Sequence, residues 1–229
     1  MDKVSVFLDI HPKNWLKPFQ RNSVAYLLKM GLFYHLLGLG LMYLGSNLIT
    51  EVISDYHPPQ FPVSISLALS SGFFEETVFF GIPFYLSGNS LIILGTGIIW
   101  SAAHLFNTGL ITIQTLAYGA FLFSTPHIFF SLRTWSSGKG WFAILFHSGW
   151  NVIFLLFYCG MGLRQCSIVN DSFDYLNIIM AFASVWIVYM AYLNNVKKKF
   201  VNRFVFLIPV GIITVGLLFA ARNEFIFLW

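Results

Sequence analysis

The sequence predicts an all-α protein, a polytopic transmembrane helix bundle with about seven spans and six to eight as the range. Of its 229 residues, 57% are hydrophobic and only 10% are charged, whereas soluble domains carry about 25% charged residues. The apolar runs are long and unbroken, as helices that cross a bilayer require, and they show no β-barrel pattern. These observations together indicate an integral membrane protein.

Two regions differ in composition. Residues 1–22 intersperse basic with apolar side chains and contain no apolar core of a signal peptide. They are predicted to form a cytoplasmic amphipathic segment that lies at an anionic membrane surface. Residues 23–229 are predicted to form a single transmembrane helical domain, without an internal repeat or a second domain.

The spans are separated by breaker residues and polar loops. The predicted spans cover about 24–49, 63–86, 90–106, 109–132, 141–159, 175–193 and 204–221. Pro58-Pro59 precedes the second span and Ser87-Gly88-Asn89 follows it. The loop 133–140 ends the fourth span, a polar loop runs from the fifth to Asp174, and a basic run from Lys197 ends the sixth.

Positive charge predicts the orientation of the bundle. With the N-terminus in the cytoplasm, only Arg164 and Arg222 of the 13 Lys and Arg residues fall on the outer side. Such a bias is typical of the positive-inside rule. Because the number of predicted spans is odd, the C-terminus is expected on the opposite side.

One pair of acidic residues, Glu75-Glu76, lies within a predicted span, whereas the other seven acidic residues fall in tails, in loops or at span ends. A carboxylate at that depth costs about 2.5–3.5 kcal/mol on insertion scales, so an intramembrane pair indicates a functional site. The simplest alternative is a structural hydrogen bond between helices.

Other polar residues in the spans can join the pair. They are His104, His127, His147 and Asn151, of which the last two are four residues apart and share a helix face. At 1.5 Å rise per residue, Glu75, His104 and Asn151 lie about 15–20 Å deep and His147 about 10 Å deep. His127 and His35 are interpreted as structural.

Such a cluster suits hydrolysis. A carboxylate with a nearby imidazole can hold and deprotonate a water, and a second imidazole and an amide can stabilise an oxyanion. The sequence lacks the His-Glu-x-x-His zinc motif, the Gly-x-Ser-Gly serine motif and a pair of membrane aspartates. A further alternative, histidines as haem or chlorophyll ligands, leaves the glutamate pair without a purpose.

At these residues the chain resembles the CPBP family, also called Abi, of CAAX prenyl endopeptidases and bacteriocin-processing or immunity proteins. Its motifs are Glu-Glu-x-x-x-Arg, Phe-x-x-x-His and His-x-x-x-Asn. Glu75 to Gly81 resembles the first, Trp100 to His104 the second with Trp for Phe, and His147 to Asn151 the third. Arg133 to Gly138 is similar to the Arg-Thr-Gly-Ser turn that often precedes the third. The resemblance covers about residues 65–155.

The resemblance implies roles for five residues. Glu75 and His104 would activate the water, His147 and Asn151 would form the oxyanion site, and Glu76 would support them. It implies a metal-independent mechanism and therefore no cofactor. The alternative is zinc, with Glu75, His104 and His147 as ligands and a water in the fourth position.

One position departs from the family. Phe80 stands where the first motif has arginine, four residues after Glu76. Without the arginine, Glu76 is either protonated or paired elsewhere, for example with His127. The departure leaves two functions open: an intramembrane endopeptidase, or a catalytically silent relative that serves as a structural, assembly or immunity subunit of a membrane complex.

The expected partners follow from these functions. They are the lipid bilayer, a hydrophobic or lipidated peptide substrate and, for the silent relative, other membrane-protein subunits, with no nucleic acid. Cys159 and Cys166 lie near one helix end. Two unpaired thiols are the preferred interpretation there, and a disulfide is the alternative if that side is oxidising.

Overall fold

The structure is a computed structural model that describes residues 9–52, 64–104, 122–161, 167–169, 172–198 and 203–222. In these ranges the regular elements are helices, apart from an isolated bridge between Ser64 and Ser167. The all-α prediction is confirmed. The chain forms two compact units, residues 1–59 with 90–143 and residues 60–89 with 144–229. That residues 23–229 act as one domain stays a prediction.

The helices are numbered here in chain order. They are α1 Val24–Val52, α2 Ile65–Glu75, α3 Ile82–Ser87, α4 Ile92–Ala103, α5 Ser124–Ser136, α6 Gly140–Gly160, α7 Ser172–Asn195 and α8 Arg203–Arg222. A 3-10 turn, Pro12–Asn14, precedes α1, and a π-helix, Glu76–Gly81, joins α2 to α3.

Within the described residues, four helical stretches are long and apolar enough to cross a membrane. They are Val24–Gly45, Ile65–Ser87, Gly140–Phe157 and Asp174–Asn195. The apolar helices Ile92–Ala103 and Phe204–Leu218 are shorter. The 12 residues of α4 extend about 18 Å, less than the ~30 Å of a bilayer core. Most of the predicted fourth span lies outside the described residues.

The first unit is built around the side chain of Arg133, which is fully buried in α5. Its guanidinium pairs with the Asp9 carboxylate and donates to the Tyr34 hydroxyl at 3.0 Å and to the Lys17 carbonyl at 2.9 Å. The Phe19 ring lies 4.3 Å from the guanidinium carbon. The sequence placed Arg133 in a loop, but α5 continues to Ser136 because this residue faces buried acceptors.

The segment before α1 packs against the helices of its own unit. The Trp15 indole donates to the Ile10 carbonyl at 2.8 Å, and its ring lies 4.9 Å from that of Phe129 in α5. The backbone N–H of Phe19 donates to the Ser137 hydroxyl at 2.8 Å. Membrane-surface binding by residues 1–22 stays a prediction.

In the second unit, α2 and its continuation run parallel to α7. Polar side chains connect them along their length: Ser66 to Asp174 at 3.1 Å, Asn177 to Ser70 at 2.8 Å and Thr77 to Ser184 at 2.5 Å. The partners are always 107 or 108 residues apart. This nearly constant offset shows that the two helices have the same direction.

An apolar cluster completes this helix pair. Phe74 of α2 packs with Met180 and Ala181 of α7, and Ile213 of α8 borders the cluster. A Cβ atom added at Gly216 of α8 would lie 2.4 Å from the Met180 sulfur, so α8 approaches α7 closely there. The cluster fixes the helix that carries the two glutamates.

Cys159, near the end of α6, is disulfide-bonded. The preference for two unpaired thiols was therefore wrong. The only other cysteine in the sequence is Cys166, which lies outside the described residues. Structural disulfides form and persist in oxidising environments.

Candidate active site

The backbone changes its winding where the two glutamates lie. Glu75 is the last residue of α2, and Glu76 is the first of the π-helix. Pro83, at the start of α3, has no N–H to donate, and its ring clashes with the carbonyl four residues earlier in a regular helix. The wider π turn avoids this clash, and the Ile82 N–H bonds to the Thr77 carbonyl, five residues back. Single π turns occur often at functional sites.

His147 of α6 lies between the two carboxylates. Its Nε2 is 3.6 Å from Oε2 of Glu75, and its Nδ1 is 3.5 Å from Oε1 of Glu76. All three side chains are buried. When both carboxylates are ionised, both ring nitrogens must carry a proton to face them favourably.

Asn151 lies one turn beyond His147 on α6. Its Nδ2 is 3.5 Å from the hydroxyl of Ser71 in α2. Since Ser71 faces Asn151 and Glu75 faces His147, α2 and α6 are antiparallel. A Cβ atom added at Gly72 would lie 2.6 Å from Ser148 Cα, so the two backbones are in direct contact between these pairs.

Phe80 is fully buried, four residues after Glu76. Glu76 has its ion-pair partner in His147 of its own unit. The replacement of the motif's arginine by phenylalanine therefore does not leave this carboxylate without a basic neighbour.

His104 and His127 belong to the first unit. His104 Nδ1 hydrogen-bonds to the Trp100 carbonyl at 2.9 Å. His127 Nδ1 hydrogen-bonds to His35 Nε2 at 3.0 Å, and the Ser131 hydroxyl is 3.3 Å from His127 Nε2. The buried pair of His35 and His127 connects α1 to α5, as expected of structural histidines.

The second unit thus brings four of the five predicted site residues together, whereas the fifth, His104, belongs to the first unit. The four are Glu75, Glu76, His147 and Asn151. Sequence reasoning missed Ser71, Gly72 and Ser148 as residues of this helix contact. Small residues are enriched where membrane helices touch, and the run Ser70-Ser71-Gly72 directly before the glutamates carried that signal.

The zinc alternative can be compared with these distances. The distance of 3.6 Å between Glu75 Oε2 and His147 Nε2 suits two ligands of the same zinc ion, each about 2.0–2.2 Å from it. Glu76 faces the other nitrogen of the same imidazole. Only two of the three proposed ligands thus lie in the second unit.

Comparison with known proteins finds one similar family. Residues 57–153 match the family model described as type II CAAX prenyl endopeptidase Rce1-like, a segment that contains all three motifs. Neither the curated proteins nor the solved structures yield a match to this chain. The predicted lack of a cofactor agrees with this family, because Rce1-like proteases are metal-independent. Over residues 57–153 the chain is therefore similar to the Rce1-like CAAX prenyl endopeptidases, and this match supports the resemblance to the CPBP family.

Proposed function

We propose that the protein is an intramembrane endopeptidase that hydrolyses a peptide bond of a lipidated or hydrophobic substrate through a water activated by glutamate and histidine. The match to a CAAX protease family supports proteolysis in general. The observation that carries the proposal is the buried imidazole of His147 between the carboxylates of Glu75 and Glu76. A purely structural contact needs one carboxylate, not two.

In the proposed reaction, Glu75 accepts a proton from the water while the water oxygen attacks the carbonyl carbon of the substrate. By resemblance to the second motif, His104 would be the partner of Glu75 in this step. The oxyanion that forms accepts hydrogen bonds from an N–H of His147 and from the Asn151 amide. The C–N bond then breaks, and the proton held by Glu75 passes to the leaving amine.

Glu76 supports this step through His147. A carboxylate 3.5 Å from Nδ1 favours a proton on that nitrogen and orients the ring. The other nitrogen then faces Glu75 and the reacting oxygen. Glu76 thus acts on His147 from the side away from the water, and the chain retains this arrangement although Phe80 replaces the motif's arginine.

The orientation proposed for the chain has a cytoplasmic N-terminus and a C-terminus on the opposite side. One structural feature supports it. The disulfide at Cys159 lies at the end of α6 that this orientation puts on the outer, oxidising side. The parallel direction of α2 and α7 agrees with the predicted order of spans, which is the same in either orientation.

The second candidate is a catalytically silent subunit of a membrane complex, which the loss of the motif's arginine at Phe80 favours. Mass spectrometry of membrane-protein termini distinguishes the two functions. Cells with the native protein, with Glu75→Gln and with Glu51→Gln as a control carboxylate outside the matched segment are compared.

A terminus present in the native and Glu51→Gln cells and absent in the Glu75→Gln cells would establish the protease and its substrate. Identical termini in all three, with a partner that co-purifies with the protein, would establish the silent subunit. Cleavage by the purified protein is expected to persist with a membrane-permeable chelator, and its loss would support zinc at Glu75 and His147.

A further inference from the structure

Three consecutive small residues in α2 each contact a different part of the second unit. Ser70 accepts a hydrogen bond from Asn177 of α7 at 2.8 Å. Ser71 faces Asn151 of α6, and Gly72 lies against the backbone of α6. Ser70 and Ser71 are both buried. The two serines are therefore chemically alike but serve two different helices.

The contact at Gly72 fixes the position of Ser71 relative to α6. A Cβ atom at Gly72 would lie 2.6 Å from both Cα and N of Ser148, so the backbone of α6 leaves no room for a side chain at Gly72. Asn151 is three residues after Ser148, on the same side of α6. Ser71 and Asn151 thus meet at a site where the helices cannot slide without a steric clash.

The hydroxyl of Ser71 can distinguish the two ends of the Asn151 amide. Ser71 Oγ donates its one proton to the Ala68 carbonyl at 3.3 Å, which leaves only lone pairs for other groups. The Asn151 NH2 group satisfies those lone pairs, whereas the amide oxygen would repel them. The observed contact of Nδ2 with Ser71 Oγ at 3.5 Å is the favourable orientation.

We propose that Ser71 is a positioning residue that holds the Asn151 NH2 group toward α2, on the side of Glu75. This inference rests on the proposed function, because it concerns the donor for the oxyanion. An amide NH2 has two N–H bonds. One is directed to Ser71, and the second is left for the oxyanion.

The test compares Ser71→Ala with Ser70→Ala in the full chain. Ser71→Ala is expected to lower kcat about tenfold with KM unchanged, because the amide can then turn its oxygen toward the reacting carbonyl. Ser70→Ala is expected to leave kcat unchanged. In an Asn151→Ala background, Ser71→Ala should have no further effect on kcat. Equal kcat values for the two serine variants would overturn the proposal.

A second readout does not depend on activity. In protein with ¹⁵N-labelled asparagine, Ser71→Ala should shift the side-chain amide signal of Asn151, and Ser70→Ala should shift that of Asn177 instead. An unchanged Asn151 signal in Ser71→Ala would refute the contact, even if the native protein cleaved no substrate. If Ser71→Ala did not fold, Ser71→Cys, a much weaker acceptor, would replace it in both measurements.

Discussion

Replacing Gly72 with alanine tests how closely α2 and α6 must approach for catalysis. The new Cβ atom would lie 2.6 Å from Ser148 Cα, whereas ordinary contacts begin at 3.4 Å. Two of the three nearest atoms, Cα and N of Ser148, belong to the backbone and cannot rotate away. The helices must therefore separate by about 0.8 Å at this point.

This displacement can be followed to the reacting groups. His147 is adjacent to Ser148, so a shift of about 0.8 Å would lengthen its 3.6 Å separation from Glu75 to about 4.4 Å. A misplacement of about 1 Å can lower a rate about 100-fold. We therefore expect kcat to fall by about that factor and the free energy of unfolding to fall by about 1–3 kcal/mol.

Cleavage kinetics and thermal unfolding in detergent measure the two effects. Gly149→Ala is the matched control, because a Cβ atom there would meet no atom within 4 Å. It should keep both activity and stability. If Gly72→Ala cleaved its substrate at the native rate, close contact of these helices would not be what positions His147.

Three further predictions concern the rest of the chain. Asp9→Ala leaves the buried guanidinium of Arg133 without its carboxylate and should lower the free energy of unfolding by about 3–5 kcal/mol, which Arg133→Met in the same chain should partly restore. Thr77→Val removes an interhelical hydrogen bond to Ser184 and should cost about 0.6 kcal/mol in the same unfolding assay. In intact cells, a membrane-impermeant maleimide should label Cys159 only after an impermeant reductant, and labelling without reduction would contradict the disulfide.

Much of the candidate site could be predicted because buried charge is rare in a membrane. The predicted depth of Glu75 and Glu76 in the bilayer indicated a functional site, and the spacing of His147 and Asn151 put both on one helix face. The contact between these residues depended on the separation and direction of two helices. Hydropathy does not specify either quantity, so the contact of Ser71 with α6 could not be predicted.

Two differences between the predicted and the observed structure have local causes. The π-helix depends on Pro83 and on the polar contact of Thr77 with α7, which a helical pattern does not reveal. Arg133 was predicted to lie in a loop because its partner Asp9 lies more than 100 residues earlier in the sequence and could not be recognised. A charged residue near a predicted span end is usually exposed to solvent, but Arg133 is the centre of a buried network.

The long separation of Asp9 and Arg133 also constrains biosynthesis. The hydrogen bond from Arg133 Nη1 to the Asp9 carbonyl joins residues 124 apart in the chain. At about 5–20 residues per second, a ribosome needs about 6–25 s to make the intervening chain. During that interval the Arg133 guanidinium does not yet exist, so Asp9 lacks the partner that it has in the folded first unit. The first unit can therefore close only after α5 has been made.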